Sequence, residues 1–308
     1  MKALKYVLPI VLFSLISCKE EVQKKNSKII AEAQINEVIK KPAFKPSKAF
    51  NDYWHGGEAE ITSYKLEQVR YAEVRNGNAV MVYVTEDFLP EVQVKADNYS
   101  EENVSVLKLN ATKNFNTGIY PYSIMQSTFY PVANNQHLIK ASASIQEWCG
   151  HVYAQLNNRA DFEVMSHSYF QSEADQKFNL DKSISENELW TKLRINPQSL
   201  PTGKISVIPS LEYIRLRHID FKAYNASATL KEGSYTLDYP ELKRTLIINF
   251  NKVFPFEITS WEETTPSGYG SHTEMLTTKA TKIKTIKSAY WSKNANKYQI
   301  LREDLGLQ

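Results

Sequence analysis

RNGNAVMVYVTEDF, residues 75–88, decides the fold class. Val80, Val82 and Val84 recur at every second position, the spacing at which a strand presents one face, and the β-branched and aromatic content suits a pleated surface. Asn76-Gly77, just ahead of them, accepts positive φ. The pattern therefore predicts a hairpin of strands 58–75 and 79–86 about a type I′ turn at Asn76-Gly77, with the three valines on its buried face.

The same alternation runs outward from Phe50. It predicts strands at 104–110, 124–132, 137–156, 161–171, 205–230, 234–239, 243–250, 253–262 and 273–291. Between them lie turn-forming residues: Asn134-Asn135, Asn157-Asn158, Glu232-Gly233, Asn251-Lys252 and Pro266-Ser267-Gly268. In 211–221 the apolar phase slips from Ile214 and Leu216 to Ile219 and Phe221, which predicts a bulge near Arg217-His218. Ser185 and Glu188 form a capping box ahead of Leu189, Trp190 and Leu193, and Pro197 ends the helix they predict. Lys279, Lys282, Lys284 and Lys287 read as protection of an edge strand. The expected architecture is mainly β: a long antiparallel curved sheet or half-open barrel over 50–308 with one or two short helices.

Ahead of that domain, Lys2 and Lys5 precede an apolar run from Tyr6 to Ile16 that suits a signal peptide over 1–17 and is too short to span a bilayer. Residues 18–49 are rich in Lys, Glu, Gln and Asn and read as a flexible tether, with a weak helix expected over 29–40. The 37 Lys and Arg lose Lys2 and Lys5 with the leader, leaving 35 against 34 acidic residues, a net charge of +1. With no concentrated basic patch, nucleic acid is not an expected partner.

The stretch 147–155, Glu-Trp-Cys-Gly-His-Val-Tyr-Ala-Gln, is the most suggestive chemistry. Read as one strand, it puts Glu147, Cys149, His151, Tyr153 and Gln155 on one face and Trp148, Val152 and Ala154 on the other. A thiol and an imidazole two residues apart admit a Cys–His nucleophile, and the same polar face also suits the wall of a ligand cavity or a plain solvent-facing surface. The six histidines are scattered, with no HxH, HExxH or paired CxxC, so no metal is expected; no phosphate loop or GxSxG elbow is present, and no cofactor is expected. The paired carboxylates Glu86-Asp87 and Glu262-Glu263 point to opposite faces of their strands, which excludes joint acid–base work. The Trp residues and Tyr53-Trp54 suit either core packing or sugar stacking.

Leu15-Ile16-Ser17-Cys18 resembles the lipobox of bacterial lipoproteins, and Lys19-Glu20-Glu21 resembles the surface-export signal that follows it in Bacteroidetes. With RNGNAVMVYVTEDF, SIQEWCGHVYAQLN at 144–157 and KRTLIINFNKVFPFEITSWEE at 243–263, the chain resembles an uncharacterised lipoprotein family of Bacteroidetes. Such proteins sometimes carry the label septum formation inhibitor Maf, but the serine-proline-arginine loop of the Maf pyrophosphatase is missing from this sequence. The resemblance implies diacylglycerol on the Cys18 sulfur, a membrane partner reached through that lipid, and an outer-membrane location facing the periplasm or the cell surface. Lipidation of Cys18 would leave Cys149 without a disulfide partner. The expected function is a non-catalytic binding or carrier protein for a lipid or glycolipid. A structural or surface-interaction lipoprotein and a Cys/His-dependent envelope enzyme are the alternatives.

Overall fold

The computed structural model describes residues 44–133 and 137–307. The leader over 1–17, Cys18, the acidic cluster after it, the weak helix at 29–40 and the Asn134-Asn135 turn lie outside the described residues. The chain from Ala43 onward forms one compact unit.

Helix α1 (Lys48–Trp54) overlaps the end of the expected tether; its N-cap Ser47 accepts a hydrogen bond from the Phe50 amide at 3.1 Å. Nine strands follow: β1 (Ala59–Arg70), β2 (Glu73–Leu89), β3 (Val94–Lys95), β4 (Val104–Thr117), β5 (Tyr120–Pro131), β6 (Lys140–Glu147), β7 (Gly150–Asn158), β8 (Phe162–His167) and β9 (Gln176–Leu180). Next come β10 (Ile184–Ser185), α2 (Glu186–Ile195), β11 (Gly203–Ile208) and α3 (Leu211–Arg217). The chain closes with β12 (Tyr224–Lys231), β13 (Ser234–Tyr239), β14 (Arg244–Phe250), β15 (Ile258–Ser267), β16 (Glu274–Ser288) and α4 (Ile300–Asp304).

All sixteen strands join one sheet, and only the short β10–β11 pair is parallel. Strand β1 sits mid-sheet, between β2 and β16. One arm runs from β2 out to β9, and the other returns from β10 to β16. The two outer edges, β9 and β10, are thus consecutive in the chain. The four Cα steps from Leu180 to Ile184 span at most about 14 Å, so the sheet must curl until its edges face each other. No ladder joins them, and the barrel stays open.

Alternation fills the hollow. Ala79, Met81 and Tyr83 point into the main core, as do Ala141, Ala143 and Ile145 of β6 and Val152, Ala154 and Leu156 of β7. Val80, Val82 and Val84 take the other face of β2, where Leu305 and Leu307 after α4 cover them. The valine stripe is therefore buried under the C-terminal segment and not in the main core.

Four expectations are corrected. The first hairpin turns at Tyr71-Ala72, with φ of 54° and 61°, and not at Asn76-Gly77. Gly77 lies inside β2, where a Cβ would fall 2.2 Å from the Asn114 carbonyl oxygen, so its glycine serves close strand approach. Residues 205–230 are two strands around α3: Ser210 Oγ accepts from the Tyr213 amide at 3.2 Å, and His218 caps the far end in the left-handed region. The apparent bulge was helical periodicity. Segment 137–156 is likewise a hairpin, with Trp148 and Cys149 in the turn between β6 and β7. Finally, β16 lies between β15 and β1, so its lysines guard no edge; Lys282 instead pairs with Glu257 at 2.6 Å.

Helix α2 forms where the capping box placed it, but the box does not close. Ser185 makes no side-chain cap bond, and Glu188 turns away to accept from the Leu138 amide at 2.9 Å. Both α2 and α3 lie inside the curl. From α2, Arg194 reaches Glu60 of β1, Asn187 reaches Gln126 of β5, and Trp190 packs edge-on to Trp261 of β15 at 5.6 Å. From α3, Glu212 binds Lys113 of β4 at 2.8 Å and Arg215 binds Ser166 of β8 at 2.7 Å. Four helices thus accompany the sheet among the described residues, where one or two were expected.

Candidate functional site

Antiparallel connection brings alternate turns to one end of the curl. The β1–β2, β4–β5, β6–β7, β8–β9 and β15–β16 connections meet there with the C-terminal end of α3. Helix α1 packs at the opposite end, where Thr85 donates to the Trp54 carbonyl at 2.5 Å and His55 contacts Ser105. Between the turns opens a cleft of ≈ 490 Å³.

Its wall is aromatic and aliphatic. Tyr71, Tyr122, Tyr169, Phe170 and Tyr269 line it together with Ile145 and Val152. Tyr169 stacks on Phe170 at 4.2 Å, and the Tyr169 ring sits where a Cβ on Gly150 would be, 2.5 Å away, so only glycine at 150 lets that ring close over the β6–β7 turn. Tyr269 is 78% exposed and forms the outer lip.

Its floor is cationic. Arg70 Nη1 donates to the Leu216 carbonyl at 2.9 Å, while Nη2 donates to the hydroxyls of Tyr71 and Tyr122, each at 3.2 Å. The guanidinium carbon stands 4.3 Å above the Tyr71 ring. Arg217 Nη2 donates to the Pro266 carbonyl. Neither arginine has an ion-pair partner among the described residues, unlike Arg215, which meets Glu173 at 3.1 Å. Glu173 also contacts His218 at 2.7 Å; burial raises its pKa, but Ser168, His218 and Arg215 more than offset that and hold it below the usual carboxylate range. Two guanidinium N–H groups in this floor, Nε of Arg70 and Nε of Arg215, are buried without an acceptor.

Beneath Arg70, Leu216 and Arg217, which bound both spaces, lies a smaller chamber of ≈ 80 Å³. Most of its charged groups are paired with one another, while Gln68 Oε1 and Arg70 Nε are buried there without a partner among the described residues. Lys113 and Gln126 each donate to Glu212 at 2.8 Å, and Arg244 bridges Glu263 at 2.6 Å and Glu186 at 2.5 and 2.8 Å. Burial lowers the Lys113 pKa, but Glu212 and Glu263 more than reverse this and keep the ammonium charged. The carboxylate pair at 262–263 divides as strand geometry requires: the Glu263 side chain is 14% exposed inside, and that of Glu262 is 45% exposed outside.

The residues singled out in 147–155 separate. Glu147 and Cys149 line the cleft; His151, Tyr153 and Gln155 do not. These three lie on the outer face of β7, where Tyr153 donates to Gln155 at 2.7 Å and Gln155 to Asn157 at 3.1 Å, a polar ladder along the sheet surface. The single-strand reading fails because the turn at Trp148-Cys149 breaks the alternation. Glu147 accepts from the Cys149 amide at 2.7 Å and from the Tyr169 hydroxyl at 2.9 Å. Hydrogen bonding to Glu147 raises the thiol pKa of Cys149, the reverse of nucleophile activation. Of the aromatics considered for sugar stacking, Trp54 and Trp261 are core residues at 1% and 2% exposure, and Trp148 is 68% exposed beside the cleft turn.

Sequence reading missed Arg70, Arg215 and Arg217 because the cleft gathers short pieces from six separate segments. The one local signal was Ser210 ahead of Leu211 and Ile214, a capped helical spacing that would have turned Arg215 and Arg217 out of a strand.

No protein-family model matches the chain, and no curated protein matches it. Among solved structures it is similar to a β-barrel-like protein of domain of unknown function DUF1849 from Brucella abortus, with TM-score 0.40 and 7% identity over 74% of this chain and 96% of that chain. It is also similar to a porin-like protein from Bacteroides uniformis, with TM-score 0.23 and 8% identity over 74% of this chain and 96% of that one. At these scores neither likeness carries a functional argument. Among the described residues no helix is long and apolar enough to cross a membrane.

Proposed function

We propose that this chain is an envelope-anchored, non-catalytic binding or carrier protein that seats a lipid or glycolipid in the cleft at the open end of its curled sheet. The observation that carries the reading is the cleft itself. Its ≈ 490 Å³ falls within the range of small-molecule sites, and it combines an aromatic and aliphatic wall with a few convergent polar groups at the floor. A binding role is favoured over catalysis because the Cys149 thiol pKa is raised by Glu147 while His151 lies on the outer face of β7. Anchoring through lipidated Cys18 in the outer membrane rests on the lipobox resemblance. The domain would then be held at a surface rich in amphiphiles.

The test is to express the chain from Lys19 onward, which retains the whole compact unit, and compare its native and denatured masses after incubation with envelope lipid extract. One bound lipid or glycolipid per chain is the expected result. A ligand-free mass after incubation rejects the carrier reading.

A further inference from the structure

Resting on that reading of the cleft, we infer that its ligand carries a phosphate or carboxylate group, held at the floor by Arg70, Arg215 and Arg217. The carboxylates nearby are already committed. Glu147 is engaged by the Cys149 amide and the Tyr169 hydroxyl, and Glu173 by Arg215, His218 and Ser168. On the chamber side, Glu263 is engaged by Arg244 at 2.6 Å. Among the described residues, the direct hydrogen-bond partners of Arg70 and Arg217 are neutral oxygens, from tyrosine hydroxyls and backbone carbonyls. Glu147 and Glu263 are close enough for Arg70 and Arg217 to act on their charge, but neither touches these guanidiniums, and a half-buried guanidinium with no carboxylate in contact is completed by an anion that hydrogen-bonds it directly.

The orphan donors point the same way. Arg215 of α3 has a side chain 5% exposed, lines the cleft and has a buried Nε–H with no acceptor; Arg70 Nε at the end of β1 repeats the pattern. Guanidinium forks match the paired oxygens of carboxylate and phosphate, and both groups supply several acceptors at once. The aromatic and aliphatic wall above the floor requires an apolar body attached to the anion, so an acidic amphiphile fits better than a free ion.

The chain from Lys19 onward would be titrated calorimetrically, below micelle-forming concentrations, with dodecyl phosphate, dodecyl maltoside and inorganic phosphate. Arg217 is half-buried and forms no ion pair among the described residues, so Arg217→Gln and Arg217→Lys are the variants of choice, with circular dichroism confirming the fold. Dodecyl phosphate is expected to bind one per chain, more tightly than the maltoside. Arg217→Gln should weaken the phosphate amphiphile by roughly tenfold to a hundredfold, the range for losing a charged hydrogen bond, with Arg217→Lys between the two. Equal binding of both amphiphiles, unchanged in Arg217→Gln, overturns the anion inference and leaves the carrier reading standing. Binding of neither overturns both. Inorganic phosphate binding as tightly as dodecyl phosphate keeps the arginine site but overturns the acidic amphiphile and the lipid carrier with it.

Discussion

Arg194 of α2 donates to both carboxylate oxygens of Glu60 on β1, at 2.6 and 2.7 Å, with the two side chains 1% and 0% exposed. This bidentate pair fastens the inner helix to the mid-sheet strand. Burial raises the Glu60 pKa, but Arg194, with Tyr53 and Lys287, more than offsets it, and the net shift is downward. Removing one partner strands the other charge in the core. Arg194→Met is expected to cost about 3–5 kcal/mol in urea unfolding, and Arg194→Met with Glu60→Leu distinctly less, because the double variant buries no lone charge. A double variant less stable than the single would contradict this assignment.

The same pair contributes to the acid response, together with Glu263. Burial raises the folded pKa values of Glu60 and Glu263, but Arg194 at the first and Arg244 with Lys113 at the second more than offset it and hold both below the usual carboxylate range. A depressed folded pKa contributes stability that is complete above the unfolded value and lost as pH falls through the folded one. Urea midpoints should therefore stay nearly level down to about pH 5 and decline below it. Midpoints that rise on acidification from pH 5 to pH 3 would reverse the sign.

Much of the sheet was legible because half-buried strands must alternate: β13 and β14 fall at 234–239 and 244–250, close to where the pattern put them. The open curved sheet followed from the same texture. What local pattern could not supply was which of two faces is the main core. On β2 both are covered, one by α2 and the other by Leu305 and Leu307, and only the long-range fold separates them. Of the candidate site, Glu147 and Cys149 reach the cleft while the three residues after them do not, because one turn placed inside an apparent strand redirects everything it joins. The arginines of the floor are isolated in sequence and meet only through the curl.

The two glycine-related findings at the first hairpin are testable as a pair. Gly77→Ala would push a Cβ to 2.2 Å from the Asn114 carbonyl oxygen and 2.8 Å from Phe115 Cβ, and overpacking of that kind costs about 1–3 kcal/mol. Ala72→Gly relieves a left-handed alanine at φ 61° and should stabilise by up to about 1 kcal/mol. Thermal unfolding checks the turn assignment through Ala72→Gly, because with a turn at Asn76-Gly77 position 72 would lie within a strand and glycine there would destabilise, whereas Gly77→Ala is destabilising under either assignment.

Cys149 should behave as a slow, exposed thiol. With its pKa raised by the hydrogen bond to Glu147, maleimide labelling at neutral pH is expected to accelerate in Glu147→Gln and to be unchanged in His151→Ala. Slower labelling in His151→Ala would revive a Cys–His pair.

Because the chain has two cysteines and the one at 18 is left out of a chain starting at Lys19, Cys149 is also a unique reporter at the exposed rim of the cleft. The most direct test of the binding account is its maleimide labelling rate as a function of dodecyl phosphate concentration, followed by mass. The rate is expected to fall in proportion to the fraction of protein bound, tracking the calorimetric titration. An unchanged rate at a concentration that saturates binding would place the ligand elsewhere and contradict the cleft as the site.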